Sequence, residues 1–214
     1  MRVIARFLSR SSCPDAGFTL LELAIVLLVL TLLIGRFALP LAAQREARQA
    51  RQAETQVLEI RSALLGYAAL HGYLPCPDVG GNGVAALNCN TASGAGGLPY
   101  KTLGLARGDD PWGRSWRYRV DRRFADPGAP IRFDTTFADA LQIYNLYDEK
   151  LSTDEERPVF ILMSAGSNGH LDGENATSGN RYQSGAPGRD FDDLVFWLSR
   201  PTLFHTLLMA GRIY

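Results

Sequence analysis

Few residues in this chain have the types and spacing that do chemistry. Residues 164–170, Ser-Ala-Gly-Ser-Asn-Gly-His, bring two hydroxyls and an imidazole together but lack the Gly-x-Ser-x-Gly turn that presents a nucleophilic serine. His170, close to Asp172 and Glu174, reads as part of a solvated loop. Asp172, Glu174, Asp190, Asp192 and Asp193 share one stretch with Asn168 and Asn175. That is an all-oxygen donor set, and calcium takes about six to eight such ligands. These five acids are the candidate metal ligands, and calcium is the one cofactor they suggest. The three Cys and three His show no CxxC or His-rich spacing, so no structural zinc is expected. Asp148, Glu149, Asp154, Glu155 and Glu156 read as an exposed acidic face. The remaining pointed residue is Glu22, the only charge within apolar residues 18–35.

The elements that must position these residues follow from composition and pattern. The chain has 214 residues, 46% hydrophobic, 21% charged and 10% aromatic, which is globular composition. Lys+Arg and Asp+Glu are both 22, so the basic excess of a nucleic-acid binder is missing and no nucleic-acid partner is expected. Arg2, Arg6 and Arg10 precede the apolar run. As a helix, residues 18–35 rise about 27 Å, close to the hydrocarbon thickness of a bilayer. The positive-inside rule then puts the basic segment in the cytoplasm and the rest across the membrane. An ordinary secretory signal has a shorter core and a small-x-small site, whereas Leu41-Ala42-Ala43 offers Leu where a small residue is wanted. A lipoprotein signal would place Cys13 after the run. A plain anchor leaves Glu22 unexplained, because a carboxylate costs roughly 2.5–3.5 kcal/mol at a bilayer centre and less near its interface.

Ala16-Gly17-Phe18-Thr19-Leu20-Leu21-Glu22 resembles the processing motif of type IV prepilins and type II secretion pseudopilins. The resemblance implies cleavage between Gly17 and Phe18 by a prepilin peptidase that also methylates the new amine. It makes Glu22 the fifth mature residue. A cation on Phe18 can pair with Glu22 of the same or a neighbouring subunit, which would offset the cost of burying the acid and set register in a filament. The bland alternative is a Glu22 that snorkels to the interface. Cleavage also removes Cys13 and leaves Cys76 and Cys89, for which a periplasmic head favours a disulfide over two free thiols. Asp110-Pro111-Trp112-Gly113 with Trp116-Arg117-Tyr118 resembles a turn and strand of pseudopilin heads. Leu74-Pro75-Cys76-Pro77, Leu98-Pro99-Tyr100 and Asp192-Asp193-Leu194-Val195 with Trp197 resemble larger pseudopilin-like proteins, which fits a minor or specialised subunit. Some pseudopilins hold calcium in the corresponding C-terminal loop.

Beyond the apolar run, Val57, Ile60, Leu64 and Ala68 recur at helical spacing, so one helix is predicted to about Leu70, kinked or divided at Pro40. Glycine-rich residues 71–101 read as loop. Strands are predicted at 116–120, 158–163 and 194–198; residues 135–150 are ambiguous, with a short helix as one reading, and a closing helical turn or helix follows Pro201. The expected class is α+β, a pilin-like fold whose long N-terminal helix has a membrane-spanning first half and packs on an antiparallel β-sheet head. Its parts are a cleaved cytoplasmic leader (1–17), a transmembrane half-helix (18–39), a periplasmic amphipathic half (40–70) and a periplasmic head (71–214).

The expected function is a subunit of a type II secretion pseudopilus, serving filament assembly and protein export across the outer membrane. The alternatives are a minor type IV pilin in assembly, adhesion or DNA uptake, and, in another class, a membrane-anchored periplasmic enzyme. The last lacks both a nucleophile turn and a metal-spaced His set, so no enzymatic activity is expected. The implied partners are other pilins or pseudopilins, the prepilin peptidase and N-methyltransferase, an inner-membrane assembly platform and the membrane itself. The implied location is the bacterial inner membrane as a single-pass protein, N-terminus cytoplasmic and head periplasmic, and the filament after extraction.

Overall fold

A computed structural model describes residues 19–89, 95–177, 179–188 and 190–213, with the side chains of 35–43 outside the description. The chain divides into two compact units, Met1–Arg45 and Glu46–Tyr214. Helix α1 is Leu20–His71. Its start is fixed by Thr19, whose hydroxyl accepts a hydrogen bond from the Glu22 backbone N–H at 3.2 Å. Thr-x-x-Glu is the capping-box spacing, and an acid in the first turn also faces the positive end of the helix dipole.

In the second unit, α1 turns a stripe of Ala53, Ile60, Leu64 and Ala68 into the core, with Val57 and Leu65 packed at its margin. The helix stops at Gly72, whose φ of 83° suits a left-handed cap and whose N–H reaches the Ala68 carbonyl at 2.8 Å. Arg212 closes the same end by donating to the carbonyls of Ala69 and Leu70 at 2.5 and 2.8 Å.

Strands β1 (Ala95–Gly97), β2 (Arg117–Val120), β4 (Pro158–Ser164) and β6 (Leu194–Ser199) form an antiparallel sheet in the order β1-β2-β4-β6. Alternation along the strands makes two buried faces. Tyr118, Val120, Phe160, Leu162 and Leu198 join the cluster that contains the α1 stripe. Ile161 and Met163 face the other way, into a smaller cluster with Leu141, Ile143 and Tyr182. Strand β4 is therefore buried at every residue. The smaller cluster is roofed by β3 (Gln142–Tyr144) and β5 (Arg181–Gln183), a parallel pair. Helix α2 (Arg200–Met209) buries Leu203 and Leu207.

The α+β class and the antiparallel sheet are as expected, but the long N-terminal helix with a membrane-spanning first half is corrected. No helix among the described residues is long and apolar enough to cross a membrane. The described apolar stretch is residues 20–34. At 1.5 Å per residue it rises about 22 Å, short of the roughly 30 Å of bilayer hydrocarbon. Helix α1 continues past it, but it is the part in the second unit, through Ala53, Ile60, Leu64 and Ala68, that packs into the core of the sheet. The expected kink at Pro40 lies among residues whose side chains are outside the description. Residues 135–150, ambiguous in the sequence, hold β3 and turns and no helix. Leu141 and Ile143 are buried there while Gln142 and Tyr144 are only partly so, a period of two.

Candidate functional site

Gly17 and Phe18 lie outside the described residues. Glu22 is exposed at the start of α1, and its backbone is held by Thr19. Beyond it every large apolar side chain in residues 20–34 is at least 45% exposed, from Leu20 at 89% to Leu30 at 45%. A helix that is apolar on all sides needs a partner to cover it.

The acidic loop is the second candidate. Asp172, Asp192 and Asp193 bring carboxylate oxygens within 4.8 Å of one another. Asp172 precedes a single 3-10 turn, Gly173–Ala176, and the other two precede β6. Backbone amides lace them together: Asp172 N donates to Asp193 Oδ2 at 2.8 Å and Asp192 N to Asp172 Oδ2 at 3.0 Å. Asn175 Nδ2 adds a bond to Asp193 Oδ2 at 2.9 Å. The Ser167 hydroxyl and the Asn168 N–H both reach Asp192 Oδ2 at 2.8 Å. The neighbouring turn requires Gly166, at φ 53°, since a Cβ there would sit 2.2 Å from the Asp192 carbonyl oxygen.

This cluster is electrostatically tense. Asp193 is 1% exposed. Burial pushes its carboxyl above the usual range, opposed by the bonds from Asp172 N and Asn175 and reinforced by the charges of Asp172 and Asp192. The Oδ1 atoms of Asp192 and Asp193 are buried without a hydrogen-bond partner among the described residues. Orphaned carboxylate oxygens beside like charges are costly, and a hard divalent cation removes both costs. The donor set therefore fits calcium. Of the five predicted ligands, Glu174 stands apart, its carboxylate 4.0 Å from Arg181 Nε, and Asp190 is exposed outside the cluster.

Residues 164–170 are accounted for structurally. The buried Ser164 hydroxyl donates to Asp110 Oδ2 at 2.5 Å. Asp110, 3% exposed, also accepts from the N–H groups of Trp112 and Arg114 at 3.0 and 2.9 Å. Arg114 Nη1 donates to the Gly166 carbonyl at 2.6 Å. The two motifs thus dock on each other through Asp110, and Ser164 is tied to a carboxylate rather than to a histidine. His170 is exposed. The Cys76–Cys89 disulfide is present, with Cα atoms 5.3 Å apart. It clamps a loop whose base is fixed by antiparallel bonds between Asp78 and Gly97 at 2.9 and 2.8 Å.

Sequence reasoning missed the Thr19 cap, although Thr-x-x-Glu was in plain view, and the Asp110–Ser164 link, for which no local signal exists. No family model matches the chain, and neither a curated protein nor a solved structure matches it.

Proposed function

We propose that this protein is a filament subunit of the prepilin-processed kind, belonging to a type II secretion pseudopilus and working in protein export rather than catalysis. The observation that carries the reading is the exposed apolar run of residues 20–34, opened by Thr19 and Glu22 directly after the Gly17-Phe18 pair. Such a run is covered most simply by the same run of neighbouring copies. Glu22 is then the polar residue available to fix axial register against the Phe18 amine of the next subunit. The head belongs in the periplasm of a bacterial envelope, a compartment that favours the Cys76–Cys89 bond. Its partners are other subunits of the filament, the peptidase that methylates Phe18, and an assembly platform.

Within the head, Asp172, Asp192 and Asp193 would hold calcium. The ion would supply positive charge that pins the loop ahead of β6. The chain's own part is to pre-set the carboxylates through Asn175, Asn168 and the backbone amides. A single cysteine at Leu28, introduced into the full chain in its own bacterium, tests the filament reading. Copies should cross-link through it under mild oxidation. Absence of any cross-link from Leu28 and its neighbours in processed protein at normal abundance would overturn the reading.

A further inference from the structure

The head carries an unpaired arginine groove. Two clefts of about 350 and 590 Å³ share Gly96, Arg117, Gly169 and Leu171 as lining. The smaller is also lined by Arg114 and the larger by Arg119 and His170, and no carboxylate among the described residues lines either. Arg117 and Arg119 point the same way because they are two residues apart on β2.

None of the three arginines forms an ion pair among the described residues. The Arg114 guanidinium donates, among the described residues, only to the carbonyls of Gly166 and Ser167. Arg119 is 3% exposed. Its Nη2 reaches Asn180 Oδ1 at 2.8 Å, while Nε and Nη1 have no partner among the described residues. Arg117 is thus left exposed with no ion pair among the described residues, and an incoming carboxylate would satisfy its guanidinium.

The matching charge lies on the same head. Residues 148–157 carry Asp148, Glu149, Asp154, Glu155 and Glu156 against Lys150 and Arg157. Asp148 and Asp154 are already paired, with Arg181 and with Lys150 and Arg157. Glu155 and Glu156 are exposed and form no ion pair among the described residues. They precede the first residue of β4, whereas Met163 near its other end lines the larger cleft. Seven extended residues span about 20 Å, so the acidic and basic patches sit toward opposite ends of one strand.

We propose that the arginine groove receives Glu155 and Glu156 of a second copy of the chain. The two patches are different surfaces, so the contact is head-to-tail and propagates along a filament instead of closing a dimer. Arg117, exposed and common to both clefts, takes the first carboxylate, and a guanidinium can grip it through two parallel bonds. This contact rests on the filament reading and names the interface between successive globular heads.

The test uses full-length protein in its own bacterium, with Cys13→Ser, Ser115→Cys at the groove and Leu151→Cys in segment 148–157. Cys76 and Cys89 are consumed by their own bond. Oxidation should give a ladder of covalent multimers. Adding Arg117→Glu should lower the ladder about fivefold, the worth of a modest ion pair. Combining it with Glu155→Arg and Glu156→Arg should restore the ladder. A ladder indifferent to Arg117→Glu, or dimers alone, would overturn the proposal. Cross-links from Leu28→Cys without a head ladder would overturn it and leave the filament reading standing. Absence of both would overturn the two together.

Discussion

Asp193 concentrates the energetics of the acidic loop. Burial is the chief cause that raises its carboxyl above the ordinary value of 3.8. In the metal-free protein this sets the sign of a pH effect. Below 3.8 the folded and unfolded chains both hold the proton. As pH rises through the unfolded value and then the folded one, the folded state keeps a proton the unfolded state has lost, so stability falls across that window. Chemical denaturation in EDTA should therefore show the wild type losing stability over this rise relative to Asp193→Asn. With calcium the sign reverses, because the ion needs the ionised carboxylates. Saturating calcium at about a hundredfold over its Kd should raise Tm by roughly 5–10 °C, and Asp193→Asn should abolish the rise. At the other end of the chain, Glu22 is both an N-terminal helix acid and the proposed register residue. Glu22→Ala should give a cleaved, normally abundant protein with reduced cross-linking between copies at Leu28, and Glu22→Gln should be intermediate. Equal cross-linking in all three would assign Glu22 to helix capping alone.

At the scale of elements, α1 and the disulfide hold the head together. Leu64 is fully buried in the α1 stripe, so Leu64→Ala should cost about 2–5 kcal/mol, read by urea denaturation. The paired Cys76→Ser and Cys89→Ser variant opens a loop of sequence separation 13 and should cost roughly 3 kcal/mol. These elements were legible because their signals are strong and local. The spacing of Ile60, Leu64 and Ala68, and the apolar runs of β4 and β6, need no tertiary context. Strands β1 and β5 were not legible, since three residues such as Ala-Gly-Gly or Arg-Tyr-Gln become strands only through partners distant in sequence. The same limit governed the sites. The loop acids were visible as a donor set, but only the fold shows that Asp172 meets Asp192 and Asp193 while Glu174 turns to Arg181. The arginine groove had no sequence signal, because Arg117 and Arg119 read as the polar face of a strand.

On the scale of the whole molecule, the two units pose different physical problems. The head buries its own core and satisfies most of its polar groups. The run of residues 20–34 leaves its apolar surface exposed, and that surface is the strongest argument that the chain works in company. The proposed filament reading requires cleavage and methylation before assembly, so the N-terminus is where it meets its sharpest test. The decisive measurement is intact mass with N-terminal peptide sequencing of the protein extracted from its native source. The account predicts a chain that begins at Phe18, carries one methyl group on its amine and retains the Cys76–Cys89 bond. A chain that still begins at Met1, or one cut near Gln44 so that residues 20–34 are lost, would contradict it.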